Sequence, residues 1–448
     1  MKTLFFLLLL FIITTGNAQV IINKDAAITA MVQAVSPDSL KSYVTKMVAF
    51  GTRNTLSTQS SNTRGIGAAR QWVLQKMNEF GKNSNGRFSA IIDTTTLQPN
   101  KRRVDTLLLL GNVVGVLKGT DINDKRIFII SGHLDNMRTN VMDRTGDAPG
   151  ANDDASGVAA VLECARIMCK SPFAATIMFV AFSGEEQGLL GATYMAAKMK
   201  ADSVHVEAIL NNDIMGSNNS NETNIIDNTR IRVFSEGLPA FETEKQAKQI
   251  RQLGLENDGA SRQLARYVKE TGERYVDNIS VMLIYRNDRF LRGGDHSAFV
   301  DKGYAAVRFT EMNENYYHQH QDVRKENGIQ YGDLPEFMDF EYLRKNTAIN
   351  LAVLANLAKA PAKPEAVRMD VKKLGNNTSI SWQHPTNGDV KGYYVLIRET
   401  TSATWQKKFF TIDREIVLPY SKDNYFFAVQ AINSEGNESL PVVPEVGR

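Results

Sequence analysis

The sequence predicts an α/β fold: a three-layer α/β/α domain with a mixed, mostly parallel sheet, followed by an all-β immunoglobulin-like sandwich. Three observations lead there. From residue 88 to 358, short apolar strands alternate with amphipathic helices, the pattern of stacked βαβ units. The stretch Lys359-Ala-Pro-Ala-Lys-Pro-Glu365 then reads as a stiff linker. Beyond it the helical period disappears, and about seven short strands over residues 366–448 match the spacing of a β-sandwich.

The elements follow in order. Residues 19–50 look helical, with Ser36-Pro-Asp-Ser39 as a helix start and Leu40, Val44 and Met47 on one face. Residues 63–80 form a second amphipathic helix, whose Trp72 is a core residue rather than a ligand platform. Strands are expected at 88–95, 107–117, 127–131, 176–182, 206–210, 230–234, 281–285 and 305–309. Helices are expected at 158–169, 191–199 and 259–271, and a long closing helix at 340–358.

Composition narrows the class. A chain of 448 residues with 43% apolar and 23% charged side chains has material for two or three globular domains. The formal charge of +3, without a Lys/Arg stripe, supplies no electrostatic footprint for nucleic acid. Lys2, the apolar run Leu4 to Ile13 and the small residues Gly16-Asn-Ala18 read as a signal peptide over residues 1–18. Export to a periplasm or the medium is therefore expected. No later stretch reaches the length of a membrane span. Cys164 and Cys169 lie five apart in a predicted helix and face different ways, so they read as two buried small side chains. A cysteine-built zinc site is excluded by count.

The chemistry gathers around the loop Gly150-Ala-Asn-Asp-Asp-Ala-Ser-Gly157. Its small residues let the backbone turn tightly and carry carboxylates close to another group. Preceding it, the strand 127–131 runs into Gly-His133-Leu-Asp135; the strand 176–182 runs into Ser-Gly-Glu185-Glu186; the strand 206–210 runs into Asn-Asn-Asp213. Ligand-bearing residues at the carboxyl ends of successive strands are where an open α/β sheet places its site. His133, Asp153, Glu186, Asp213 and one later His are candidate metal ligands, and their nitrogen and carboxylate donors suit zinc with a position left for water. Two histidines with three carboxylates can hold two metals, one carboxylate bridging. Glu185, beside a ligand on a loop, can face the reacting water as a base. Asp135 can accept the second N–H of the His133 imidazole and fix its tautomer.

With these motifs together, the sequence resembles the co-catalytic zinc aminopeptidases related to bacterial leucyl aminopeptidase, glutamate carboxypeptidase II and the glutaminyl cyclases. The resemblance covers residues 40–358. It rests on Gly132-His-Leu-Asp135, Pro149 to Gly157, Phe182-Ser-Gly-Glu-Glu-Gln-Gly188, Asn212-Asp-Ile-Met-Gly216, Gly294-Asp-His-Ser-Ala-Phe299 and Tyr317-His-Gln-His-Gln-Asp322. It implies two zinc ions, one completed by His133 and Asp213, the other by Glu186 and His318, with Asp153 bridging. It implies Glu185 as general base and then acid, and Asp135 behind His133. His318 is selected over His320 because the family's His stands four residues before an Asp, here Asp322. Asn152 replaces a common Asp without removing a ligand, and Asp295 with His296 supports the site from behind. His205 and His384 fall outside every motif.

The function so implied is an exported di-zinc aminopeptidase, a zinc-bound hydroxide attacking the first carbonyl of peptides with a free N-terminus. Glu311 is a candidate for holding the substrate amine. A glutaminyl cyclase on the same fold would attack with the substrate's own amine. An acidic-dipeptide carboxypeptidase would need arginines for a substrate carboxylate, for which Arg286, Arg289 and Arg292 are candidates. A non-catalytic binding protein has no reason to keep Glu185 with the ligands. In residues 362–448, Trp382, Tyr394 and the run from Tyr425 to Ser439 resemble a fibronectin type III domain, which implies a spacer or a lid.

Overall fold

The computed structural model describes residues 22–446 apart from Lys101 and Lys373; the segment 1–18, expected to be a signal peptide, lies outside the described residues. The first helical stretch is broken in two, α1 (Ala26–Gln33) and α2 (Pro37–Val48). The break sits at Ser36, whose hydroxyl caps α2 by accepting from the Ser39 N–H, with Pro37 as the first helical residue. Helix α3 (Gly65–Gly81) packs Trp72 against the rings of Tyr43 and Phe50 at centroid distances of 6.3 and 6.2 Å.

Eight strands form one mixed sheet: β1 (Phe88–Leu97), β2 (Leu108–Leu117), β3 (Ile127–His133), β4 (Thr176–Phe182), β5 (Val206–Asn212), β6 (Arg230–Ser235), β7 (Ser280–Ile284) and β8 (Ala306–Glu311). Their order is β1-β2-β4-β3-β5-β8-β6-β7. The middle four, β4-β3-β5-β8, run parallel. Antiparallel pairings join β1 to β2, β2 to β4 and β6 to β8. The central strands are apolar throughout because both faces are covered. Phe128 and Ile130 enter one core, shared with α4 (Ala155–Met168), α7 (Ala260–Tyr275) and α9 (Phe340–Lys359). Ile129, between them, enters the other, against α5 (Leu190–Ala201) and the short α8 (Asp295–Val300). This alternation makes the three layers. The sequence reading did not anticipate α6 (Glu244–Leu253), α8 or the hairpin of β9 (Arg324–Glu326) and β10 (Ile329–Tyr331). Helix α6 has no buried residue and β9 is exposed along its length, so neither leaves an apolar imprint. Both cysteines are buried and free.

After α9, residues 365–446 form two facing sheets. One is β15 (Glu415–Leu418), β12 (Thr378–Gln383), β11 (Glu365–Met369) and β17 (Glu445–Val446); the other is β14 (Lys407–Thr411), β13 (Gly392–Glu399) and β16 (Tyr425–Ile432). Trp382 is buried between them, edge-on to Tyr393. This β-rich region is bolted to α7 and α9 by buried polar contacts. Arg398 meets Asp258 at 2.6 Å, the Tyr267 hydroxyl donates to the Glu438 carbonyl at 2.7 Å, and Arg274 and Lys408 flank the Glu438 carboxylate. Among the described residues no helix is long and apolar enough to cross a membrane.

Candidate metal centre

The site lies where the parallel strands end. Strand β3 delivers His133, the turn after β4 delivers Glu185 and Glu186, and Asp213 follows β5 directly. Asp153 comes from the loop before α4. That loop is pulled into the sheet end by close packing at two glycines. A Cβ on Gly157 would lie 2.4 Å from Asp154 Oδ2 and 2.5 Å from the Asn212 carbonyl, and one on Gly132 would lie 2.7 Å from Gly157. Only glycine permits this approach.

Asp153 stands between two histidines. Its Oδ1 is 3.1 Å from His133 Nε2 and its Oδ2 is 2.9 Å from His320 Nε2. His133 Nε2 is 3.7 Å from Asp213 Oδ1, and His320 Nε2 is 3.4 Å from Glu186 Oε2. Donor atoms of His133, Glu185 and Asp213 fall within 4.8 Å of one another, as do those of His133, Asp153 and Glu186. His133 Nδ1 is 3.0 Å from the Asp135 carbonyl, an atom that only accepts; Nδ1 thus carries a proton and Nε2 is the nitrogen that faces the cluster.

The last histidine is a correction. His320, not His318, reaches Asp153 and Glu186. His318 instead stacks on Phe337 at 3.8 Å and 6° between planes, and burial lowers its pKa to about 4. The cause is backbone direction. His320 takes a φ of 53°, a left-handed turn that swings its ring inward, so counting back from Asp322 selects the wrong residue. Asp322 itself accepts from Arg138 Nε at 3.0 Å. Asp135 also acts differently from the expectation. Its carbonyl orients His133, whereas its carboxylate accepts the N–H groups of Gly184, Glu185 and Glu186 at 2.9, 3.3 and 3.1 Å. It therefore shapes the turn that presents the base and a ligand.

Other residues were missed. Asp154 caps α4 at the Gly157 N–H and accepts the His133 N–H at 2.9 Å, which its place before Ala-Ser-Gly could have revealed. Asp333 receives the N–H groups of Asn152 and Asp153 from 180 residues away. Arg308 pairs with Asp213 Oδ2 at 2.9 Å and with Asp288. Arg53, fully buried, donates to the carbonyls of Leu134, Pro149 and Gly150, each at 2.8 Å, tying the His133 and Asp153 loops together.

Several sequence candidates are placed elsewhere. Glu311 is fully buried, accepting from Asn152 Nδ2 at 2.8 Å and the Ser217 N–H at 2.7 Å. Arg289 is spent on Glu314 and Asp288, and Arg286 lies over Phe290. Arg292 lines the cleft above the cluster. His296 is buried with Nε2 2.8 Å from the Asn287 carbonyl; His205 pairs with Glu207 and His384 with Tyr393. Asp295 is buried, and its two carboxylate oxygens have no hydrogen-bond partner.

The electrostatics of the cluster call for cations. Burial pushes the Glu185 carboxyl well above the usual range, reinforced by Glu186 and Asp213, and Asp154 behaves likewise. Burial pushes Asp295 up to about 8. The neighbouring Glu186 and Asp153 carboxylates raise His320 to about 11, and His133 is also held high against its burial. Glu186 Oε1 is buried without a hydrogen-bond partner. Packed carboxylates and imidazoles, with an acceptor left over, fit divalent cations replacing the protons.

Residues 112–339 match the model of peptidase family M28. A probable zinc metalloprotease of Leptosphaeria maculans is 43% identical over 425 residues, 94% of this chain and 98% of that protein. One from Pyricularia oryzae is 42% identical over 94% of this chain and 85% of its own. Among solved structures, the LapA aminopeptidase of Legionella pneumophila superposes with a TM-score of 0.53 at 18% identity, covering 78% of each chain. An aminopeptidase from Aneurinibacillus sp. strain AM-1 gives 0.50 at 15% identity, over 74% of this chain and 95% of that one. At such identities the likeness is one of fold. The family match and the close relatives together carry the assignment: the chain belongs to peptidase family M28.

Proposed function

We propose that the protein is an exported zinc aminopeptidase that removes N-terminal residues from peptides. The observation that carries the reading is Asp153, with one carboxylate oxygen toward His133 and the other toward His320. That is the disposition of a bridging ligand between two metals. His133 and Asp213 would hold one zinc, Glu186 and His320 the other. Two zinc ions bound there would polarise the scissile carbonyl and make water nucleophilic near neutral pH.

The chain's own groups do the rest. The Asp135 carboxylate holds the Gly184–Glu186 turn, so Glu185 faces the reacting water. Glu185 removes a proton from that water and delivers it to the leaving amine nitrogen. Its elevated proton affinity suits the second half of that task. Arg308 keeps Asp213 ionised and oriented, and Asp154 secures the His133 backbone. The signal segment 1–18 supports export, and the β-rich region, fibronectin type III-like by its Trp382 and Tyr425 motifs, would travel as a fixed part of the enzyme.

The test is mass spectrometry of short peptides with free or acetylated N-termini, one beginning with Gln, incubated with zinc-loaded protein. Stepwise loss of N-terminal residues from free peptides only, abolished by Glu185→Ala and by a chelator, is the expected result. Loss of ammonia from the Gln peptide alone would mean a cyclase. Release of C-terminal residues would mean a carboxypeptidase, and no change in any peptide would leave a binding protein.

A further inference from the structure

A cleft of about 460 Å³ opens over Glu185, Glu186 and His320. Its remaining walls are two guanidiniums, Arg103 and Arg292, and two apolar side chains, Leu189 and Leu291. Leu291 is 98% exposed, an apolar lip at the entrance. Neither guanidinium is neutralised. Arg103 Nη1 donates to the Glu186 carbonyl at 2.6 Å, a neutral partner. Arg292 lies 3.9 Å from Glu314 Oε2, but that carboxylate already takes Arg232 at 2.5 Å, Arg289 at 2.9 Å and the Gln319 amide at 3.1 Å. Glu314 is thus held by Arg232 and Arg289, the latter shared with Asp288, and Arg292, the outermost guanidinium, has only the 3.9 Å approach. Glu311, the carboxylate expected to receive a substrate amine, is sealed away against Asn152 and Ser217. Apart from Glu185 and Glu186, the cleft lining holds no carboxylate.

We propose that Arg103 and Arg292 clamp a carboxylate of the substrate, so that the cleft selects short peptides with an anionic group one residue from the scissile bond. The proposal rests on the peptidase reading above and names its substrate class. The placement supports it. Arg103 is hydrogen-bonded to the main chain of Glu186 itself, so its guanidinium sits on the turn that carries Glu185 and Glu186. A dipeptide carries its α-carboxylate one residue beyond the bond, and an acidic side chain on the second residue offers the same chemistry. Guanidinium forks match carboxylates with paired, charge-assisted hydrogen bonds. Leu189 and Leu291 leave an apolar surface for the side chain alongside.

The experiment is calorimetric binding to the full-length, zinc-loaded Glu185→Gln protein, which separates binding from turnover. The probes are Leu-Ala, Leu-Ala-amide, Leu-Glu-amide and Leu-Gln-amide. About tenfold tighter binding of Leu-Ala than of its amide identifies the main-chain carboxylate; the same ratio for Leu-Glu-amide over Leu-Gln-amide identifies the side chain. Either ratio should fall to within twofold when Arg103→Gln and Arg292→Gln are added. Equal affinities within both pairs, a ratio that survives the double substitution, or no binding of any probe overturns the proposal. Because each comparison is made within one protein, a folding defect cannot imitate it. Hydrolysis by the unsubstituted enzyme is read separately. A carboxylate preference without hydrolysis would refute the peptidase reading and leave the clamp standing, and hydrolysis without preference would do the reverse.

Discussion

Replacing His320 and His318 in turn by Ala tests the site at its most specific point. His320 Nε2 reaches Asp153 at 2.9 Å and Glu186 at 3.4 Å, so its loss strips the imidazole from that half of the cluster. Removing a single preorganised electrostatic partner at a reaction centre costs on the order of 10²–10³ in rate, about 3–4 kcal/mol of transition-state stabilisation. A ligand that also secures an ion should cost no less. His320→Ala should therefore lower kcat/KM by on the order of 10³ and, on the proposed two-zinc centre, reduce the zinc retained after dialysis by about one ion per chain. His318→Ala removes a stacked ring pair with Phe337, worth about 0.5–1.5 kcal/mol, from a place outside the cluster. It should lower Tm by a few degrees while leaving zinc content and kcat within about threefold. Elemental analysis, thermal denaturation and peptide hydrolysis on both variants decide the matter. Full zinc and activity in His320→Ala, with loss of both in His318→Ala, would refute the assignment.

The other predictions concern the frame. Glu185→Gln should lower kcat by about 10²–10⁴ with zinc retained, seen by single-turnover kinetics and elemental analysis. Arg53→Met removes a buried donor from the carbonyls of Leu134, Pro149 and Gly150 and leaves acceptors unpaired, which should cost about 3–5 kcal/mol in urea denaturation. Arg274 and Lys408 hold the buried Glu438 carboxyl at about 2, below its unfolded value of 4.5. A depressed carboxyl stabilises the fold above the unfolded pKa and loses that contribution as pH falls through the folded one. About 3 kcal/mol should thus disappear between pH about 4.5 and 2, and Glu438→Gln should flatten that limb of an acid-denaturation curve. Trp382→Ala should destabilise the β-rich region by about 3–5 kcal/mol, visible as an early transition in calorimetry.

Much of the fold was readable because burial imposes a pattern on the sequence. Strands β3, β4 and β5, covered on both faces, are continuous apolar runs, and α9 is buried for most of its length. Elements that touch little were not readable, as with the exposed α6 and the β9–β10 hairpin. Within the site, His133 ends a strand and Glu185, Glu186 and Asp213 sit one to four residues past one, so the strand itself announces them. Arg53, Asp333 and Arg308 come from distant segments, and no local pattern marks a hydrogen bond or ion pair closed by such distant parts of the chain.

By itself, the sequence determined the residue types that converge at the strand ends, the α/β class and the β-rich region after residue 359. Those follow from periodicity, turn chemistry and strand ends, all local properties. Tertiary structure decided which histidine faces Asp153, that Asp135 orients His133 through its carbonyl, that Glu311 is sealed off and that Arg103 joins Arg292 at the cleft. Each depends on where a loop returns in space. The two histidines show the reason: His318 and His320 lie two residues apart, at a left-handed turn, yet one stacks on Phe337 and the other meets Asp153.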